Sequence, residues 1–113
     1  MPAPLRHLTA EFHGVPATQL GDEQLLGGLL IAAASAAGFG ATEVPLVRSF
    51  PDGGVTAVLL LGGCHLVAHA FLDRELLLVD VLAPAARDSQ KALDVFARRL
   101  TAREVRSEVH ERG

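Results

Sequence analysis

The chain has 113 residues, enough for one compact domain, and half of them are apolar. Five Phe and no Trp or Tyr leave Leu, Val and Ala to build most of the core. A formal net charge of −3 without a basic block argues against a nucleic-acid or polyanion surface, and a single Cys excludes an internal disulfide. No secretory leader is evident in MPAPLRHLTAEF. The run LLGGLLIAAASAAGFGA follows Asp22 and Glu23 and is broken by glycines, which suits a buried helix better than a membrane span. A cytoplasmic protein with neither membrane nor nucleic-acid partners is expected.

Residues 5–13, LRHLTAEFH, alternate with period two and predict a strand. Leu8, Ala10 and Phe12 take one face; His7, Thr9, Glu11 and His13 take the other. A loop is expected over 14–21. Asp22 can cap a helix running to Ala37, with Gly38 at its left-handed stop and an apolar stripe of Leu25, Leu26, Leu29, Leu30 and Ala33. A second strand is predicted over 43–50, where Pro45 argues for an edge or a bulge. The turn Pro51-Asp52-Gly53-Gly54 leads into VTAVLLL, and Gly62-Gly63 leads into CHLVAHAF. After Leu72–Glu75 comes LLLVDVL, ended by Pro84. Asp88 or Ser89 caps a second helix with Ala92, Leu93, Phe96, Ala97 and Leu100 inward, and EVRSEVH, residues 104–110, closes the chain as a last strand.

The order β-α-β-β-β-β-α-β, with short turns between its central strands, predicts a two-layer α+β sandwich: a mostly antiparallel sheet covered on one face by two helices. The other face, with the histidines, is left open, and a homodimer is expected to cover it.

The stretch GGCHLVAHAF, residues 62–71, carries the most chemistry. A thiol directly after Gly-Gly can attack the Gly63 carbonyl in an N-to-S acyl shift. Thr56 can supply a hydroxyl and His69 a base. In a regular strand Cys64 and His69 point to opposite faces, so the pair requires Cys64 to sit in the turn, off the pleat. The residue types leave open a plainer role, with Cys64 a small core side chain and His65 and His69 satisfied polar groups. Zinc binding by Cys64, His65, His69 and a first-strand His lacks any Cys-x-x-Cys or matched His-Cys spacing, so no metal site is expected.

RHLTAEF (6–12), GGVTAVLLL, CHLVAHAFLD, the helix KALDVFARRLTAREV and the tail VHERG agree in order and spacing with one family. From Arg6 to Gly113 the chain resembles the short prokaryotic S-adenosylmethionine decarboxylases, self-cleaving pyruvoyl enzymes of spermidine synthesis. The resemblance implies cleavage between Gly63 and Cys64, with Cys64 in place of the serine that becomes the pyruvoyl cofactor. It implies processing roles for His69 and Thr56. It implies contacts to S-adenosylmethionine or a related amine from Phe50, on the adenine, and from His65, Phe71 and Asp73. Glu11 lies in the matched first strand and is given no role.

The departures are specific. The glutamate before the cleaved serine is Gly63, and the Trp-Pro pair is Phe71-Leu72. The Phe-Thr-Cys-Gly stretch, whose cysteine donates a proton during decarboxylation, is matched by VLAPA (81–85), with Ala83 in the cysteine's place and Asp80 kept just before it. Three readings follow: a decarboxylase with impaired processing, an uncleaved paralogue that binds a nucleoside or amine or regulates an active homologue, and a pyruvoyl decarboxylase of ornithine or arginine.

Overall fold

The structure is a computed structural model and describes residues 3–40 and 43–113. Six strands form one sheet: β1 (Leu5–His13), β2 (Leu46–Ser49), β3 (Gly54–Leu61), β4 (Cys64–Phe71), β5 (Leu76–Pro84) and β6 (Glu104–Arg112). Their order is β2-β3-β4-β5-β1-β6, and every ladder among them is antiparallel. Three consecutive hairpins build the β2-to-β5 half. The first strand then pairs with β5 on one side and β6 on the other. The α+β sandwich with an antiparallel sheet is as expected from the strand and helix order.

Alternation fixes which side is core. Leu8, Ala10 and Phe12 of β1, Ala57 and Leu59 of β3, Leu66 and Ala68 of β4, and Leu77, Val79 and Val81 of β5 are all buried under the helices. Helix α2 (Glu23–Ala36) presents Leu26, Leu29, Leu30, Ala33 and Ala34 to them. Helix α3 (Ser89–Arg99) presents Ala92, Leu93, Val95 and Phe96. Phe12 and Phe96 meet at the centre, ring centroids 6.2 Å apart.

Both predicted N-caps form: the Asp22 carboxylate accepts from the Leu25 amide at 3.0 Å, and that of Asp88 from the Lys91 amide at 3.2 Å. Helix α2 ends in a Schellman motif, with Gly38 at φ 95° and bonds from the Gly38 amide to the Ser35 carbonyl and from the Phe39 amide to that of Ala34.

Four expectations are corrected. The 14–21 loop contains a one-turn helix, α1 (Ala17–Leu20), nucleated when the Pro16 carbonyl accepts from both Gln19 and Leu20 and held by the buried Leu20. The strand expected over 43–50 starts only at Leu46, after Pro45, and is an edge strand. In α3, Ala97 is exposed and Val95 is the inward residue, because α3 leans on α2 as well as on the sheet. Leu25 is only partly buried and lies at the margin of the α2 stripe. Among the described residues no helix is long and apolar enough to cross a membrane.

Candidate functional site

The open face of the sheet is built by register. Thr56 stands opposite His69, His69 opposite Leu78, and Leu78 opposite Glu11; one row away, Val67 faces Asp80 and Asp80 faces Thr9. On β6, Arg106 and Glu108 continue these rows. Two hollows lie on this face.

The first, about 440 Å³, lies beside the β2–β3 turn and is lined by Phe50, Thr56, His69, Phe71, Asp73 and Arg74, among others. Five of the residues singled out from the sequence therefore meet in one place. Phe50 and Phe71 are half-exposed aromatics. Asp73 sits in the 3-10 turn Leu72–Arg74, which the left-handed Glu75 (φ 49°) closes. The Oγ1 of Thr56 lies 3.0 Å from Nδ1 of His69, a bond that fixes the ring against β3.

The second hollow, about 680 Å³, runs along β4, β5, β1 and β6 and is lined by Thr9, Glu11, His65, His69, Asp80 and Glu108, among others. His69 and Leu78 border both hollows. Glu11, Asp80 and Glu108 give this groove an acidic floor. Its Arg106 is drawn off by Glu104 at 2.8 Å; that hydrogen bond raises the guanidinium pKa and lowers that of the Glu104 carboxyl.

His65 does not join Phe50 and Asp73. Its Nε2 lies 2.9 Å from Oδ1 of Asp80, and Nε2 of His7 lies 2.7 Å from the same oxygen. The two rings pack edge to face, centroids 6.3 Å apart. Burial pushes the Asp80 pKa up, but the hydrogen bonds from His65 and His7, with their charge, more than offset it and hold the carboxyl below its ordinary value. Sequence reasoning gave His7 no role beyond that of a first-strand His in a zinc set that the spacing does not support. Only the strand order, which seats β5 between β4 and β1, brings it to His65.

Cys64 and His69 are not brought together. Gly62, at φ 68°, and Gly63 form a two-residue turn, so Cys64 opens β4 directly opposite Leu61. The thiol shares the helix-side face with Leu66, Ala68 and Ala70 and is 9% exposed. His69 lies five residues along the strand, about 17 Å, and on the opposite face. The condition for a Cys64–His69 pair, that Cys64 leave the pleat, is not met: a two-residue hairpin keeps the pleat intact up to its tip. Ala83 is fully buried on the same core face and offers no proton. Within one chain, these residues do not fit a pyruvoyl centre served by His69.

No curated protein matches the sequence significantly. The crystal structure of the adenosylmethionine decarboxylase from Aquifex aeolicus VF5 is similar, with a TM-score of 0.87 and 26% identity, over 100% of this chain and 93% of that one. The family profile described as S-adenosylmethionine decarboxylase matches residues 6–113, nearly the whole length over which the open-faced sheet and its two hollows are built. The chain belongs to the S-adenosylmethionine decarboxylase family.

Proposed function

We propose that this chain is a divergent S-adenosylmethionine decarboxylase-like protein that keeps a ligand pocket and stays uncut. In this reading it binds S-adenosylmethionine or a related amine in polyamine metabolism. One observation carries it: Phe50, Thr56, His69, Phe71 and Asp73 line a single hollow, while Cys64 lies in the core on the other side of the sheet. Phe50 and Phe71 supply apolar ring surface for a purine, and the Asp73 carboxylate suits ribose hydroxyls or an amine. Ala83 supports the loss of decarboxylation, because removing a positioned acid typically costs about 10²–10⁴-fold in rate.

The deciding measurement is the intact mass of the purified protein. One unbroken chain of 11.9 kDa is expected. Two fragments parted before residue 64, the later one blocked at its N-terminus, would overturn the uncut reading.

A second reading, an active pyruvoyl enzyme, is favoured by the open apolar surface. Leu46 and Leu60 are exposed on the same face as Thr56 and His69. A homodimer through this face would enclose the two hollows and set groups of one copy near the hairpin tip of the other. Sedimentation gives the oligomeric state. Release of labelled carbon dioxide from carboxyl-labelled S-adenosylmethionine, ornithine and arginine then distinguishes the substrates.

A further inference from the structure

We infer that His7, His65 and Asp80 form a mononuclear site for a divalent cation of the zinc class, with its remaining position open to the acidic groove. The inference is independent of whether the chain cuts itself.

Three hydrogen-bonded strands build the cluster. His7 of β1 and His65 of β4 both stand opposite Leu82 of β5, one from each side. Asp80 lies two residues along β5, on the same face, and reaches back between the two rings. The donors therefore sit on sheet ladders and not on loops, which holds their relative positions. Nε2 of His7, Nε2 of His65 and Oδ1 of Asp80 all lie within 4.8 Å of one another.

The spacing is already close to that of a coordination shell. Zinc bonds to imidazole nitrogen and carboxylate oxygen run about 2.0–2.2 Å, so a tetrahedral centre has donor–donor edges of about 3.3 Å. The two nitrogen–oxygen distances here are 2.7 and 2.9 Å. To admit the ion, each nitrogen–oxygen distance must open by about half an ångström and each ring must turn its Nε2 off the carboxylate oxygen and toward the ion. In the ion-free arrangement each Nε2 points its proton at the carboxylate; on binding, each ring moves that proton to Nδ1 and offers the Nε2 lone pair. Two imidazoles and one carboxylate suit zinc or cobalt over the oxygen-seeking magnesium or calcium.

All three side chains are accessible, at 22, 35 and 37% exposure, so an ion can enter from the groove. Three protein ligands and an open position are the pattern of zinc sites that take water or a ligand as the fourth donor. His65 and Asp80 line the same groove as Glu11 and Glu108, whose carboxylates favour an amine there.

The test uses the full chain made without a polyhistidine tag and stripped with a chelator. Cobalt(II) is added and its visible d–d absorption followed; zinc affinity is measured against a chromogenic chelator. One equivalent per chain is expected, with an intense tetrahedral spectrum. His7→Ala and Asp80→Asn should each weaken binding by at least about ten-fold. His65→Gln, which keeps a polar side chain of similar reach, is the third ligand variant and should weaken binding likewise, and circular dichroism checks that each variant is folded. His13→Ala, on the same strand, should bind as the parent does. Binding well below one equivalent, affinity unmoved in folded His7→Ala, or loss in Cys64→Ser instead, overturns the site.

Discussion

Cys64 and His69 belong to one strand and face opposite sides of the sheet, the thiol among Leu66 and Ala68 and the imidazole against Thr56. A soluble thiol reagent should therefore label the folded protein far more slowly than the same protein in denaturant. His69→Ala should leave that slow rate unchanged. Rapid labelling of the native chain, slowed or quickened by the His69 change, would show a contact between them.

The pocket lined by Phe50, Phe71 and Asp73 makes a second prediction. Stacking of a base on an aromatic ring is worth about 1–3 kcal/mol, so Phe50→Ala should weaken a purine-containing ligand by roughly ten-fold or more. Calorimetric titration with S-adenosylmethionine and with 5′-methylthioadenosine reads this directly. Asp73→Asn should weaken the two to different degrees if the carboxylate meets the amine, and alike if it meets the ribose. Unchanged affinity in both variants removes the pocket from consideration.

Gly28 and Gly27 are neighbours in α2 with different surroundings. A Cβ at Gly28 would meet nothing within 4 Å, whereas one at Gly27 would lie 3.4 Å from Val47 Cγ2. Gly28→Ala should raise stability by about 1 kcal/mol, the ordinary helix-propensity difference. The melting temperature should rise by about 4 °C. Gly27→Ala should gain less, because α2 rests on β2 at that point. Thermal denaturation of the two variants side by side checks the difference.

At the centre of the core, Phe96 packs on Phe12 and is fully buried. Phe96→Ala should cost about 3–5 kcal/mol. Domains of this size hold about 5–15 kcal/mol in all, so the variant should be marginal at body temperature. A urea midpoint close to that of the parent would contradict the core assignment.

Acid should act through Asp80. Its folded-state pKa is lowered, so its contribution to stability is present above the ordinary carboxylate pKa and is lost as pH falls through the lowered value. In the chelator-treated protein, a carbon-detected NMR titration should find Asp80 titrating below the ordinary aspartate value. His65→Gln, which removes an imidazole charge, should move the Asp80 midpoint up. A midpoint indifferent to that change would mean that the 2.9 Å contact contributes nothing.

Local chemistry made much of the fold readable. Period-two alternation located β1, which has one face in the core, turn residues bounded β3, β4 and β5, and the two Asp caps marked the starts of α2 and α3. The one-turn helix at Ala17–Leu20 was not readable, since four residues carry no period. The hollow around Phe50, Thr56, His69, Phe71 and Asp73 was implied by the family resemblance, and it holds together because those residues lie on consecutive hairpins, where sequence order is spatial order. The meeting of His7 with Asp80 was not readable, because it spans 73 positions and depends on which strand β1 chooses. For Cys64 the sequence left two roles open, and the turn geometry decides for the small core side chain. Cross-strand partners share a face, so the burial of Leu61 obliges its partner Cys64 to be buried too.

The first strand lies between the fifth and the sixth, the last of which ends at Arg112. During synthesis β1 therefore leaves the ribosome without either of its neighbours. It gains one after β5 is made, and the other only after β6. The β2-to-β5 meander can form early through its hairpins, but β1 and β6 must find each other across all the elements between them. Such long-range pairing is slow. Removal of β6, Glu104–Arg112, would thus leave the β1 edge bare, and with it a template for pairing with other chains.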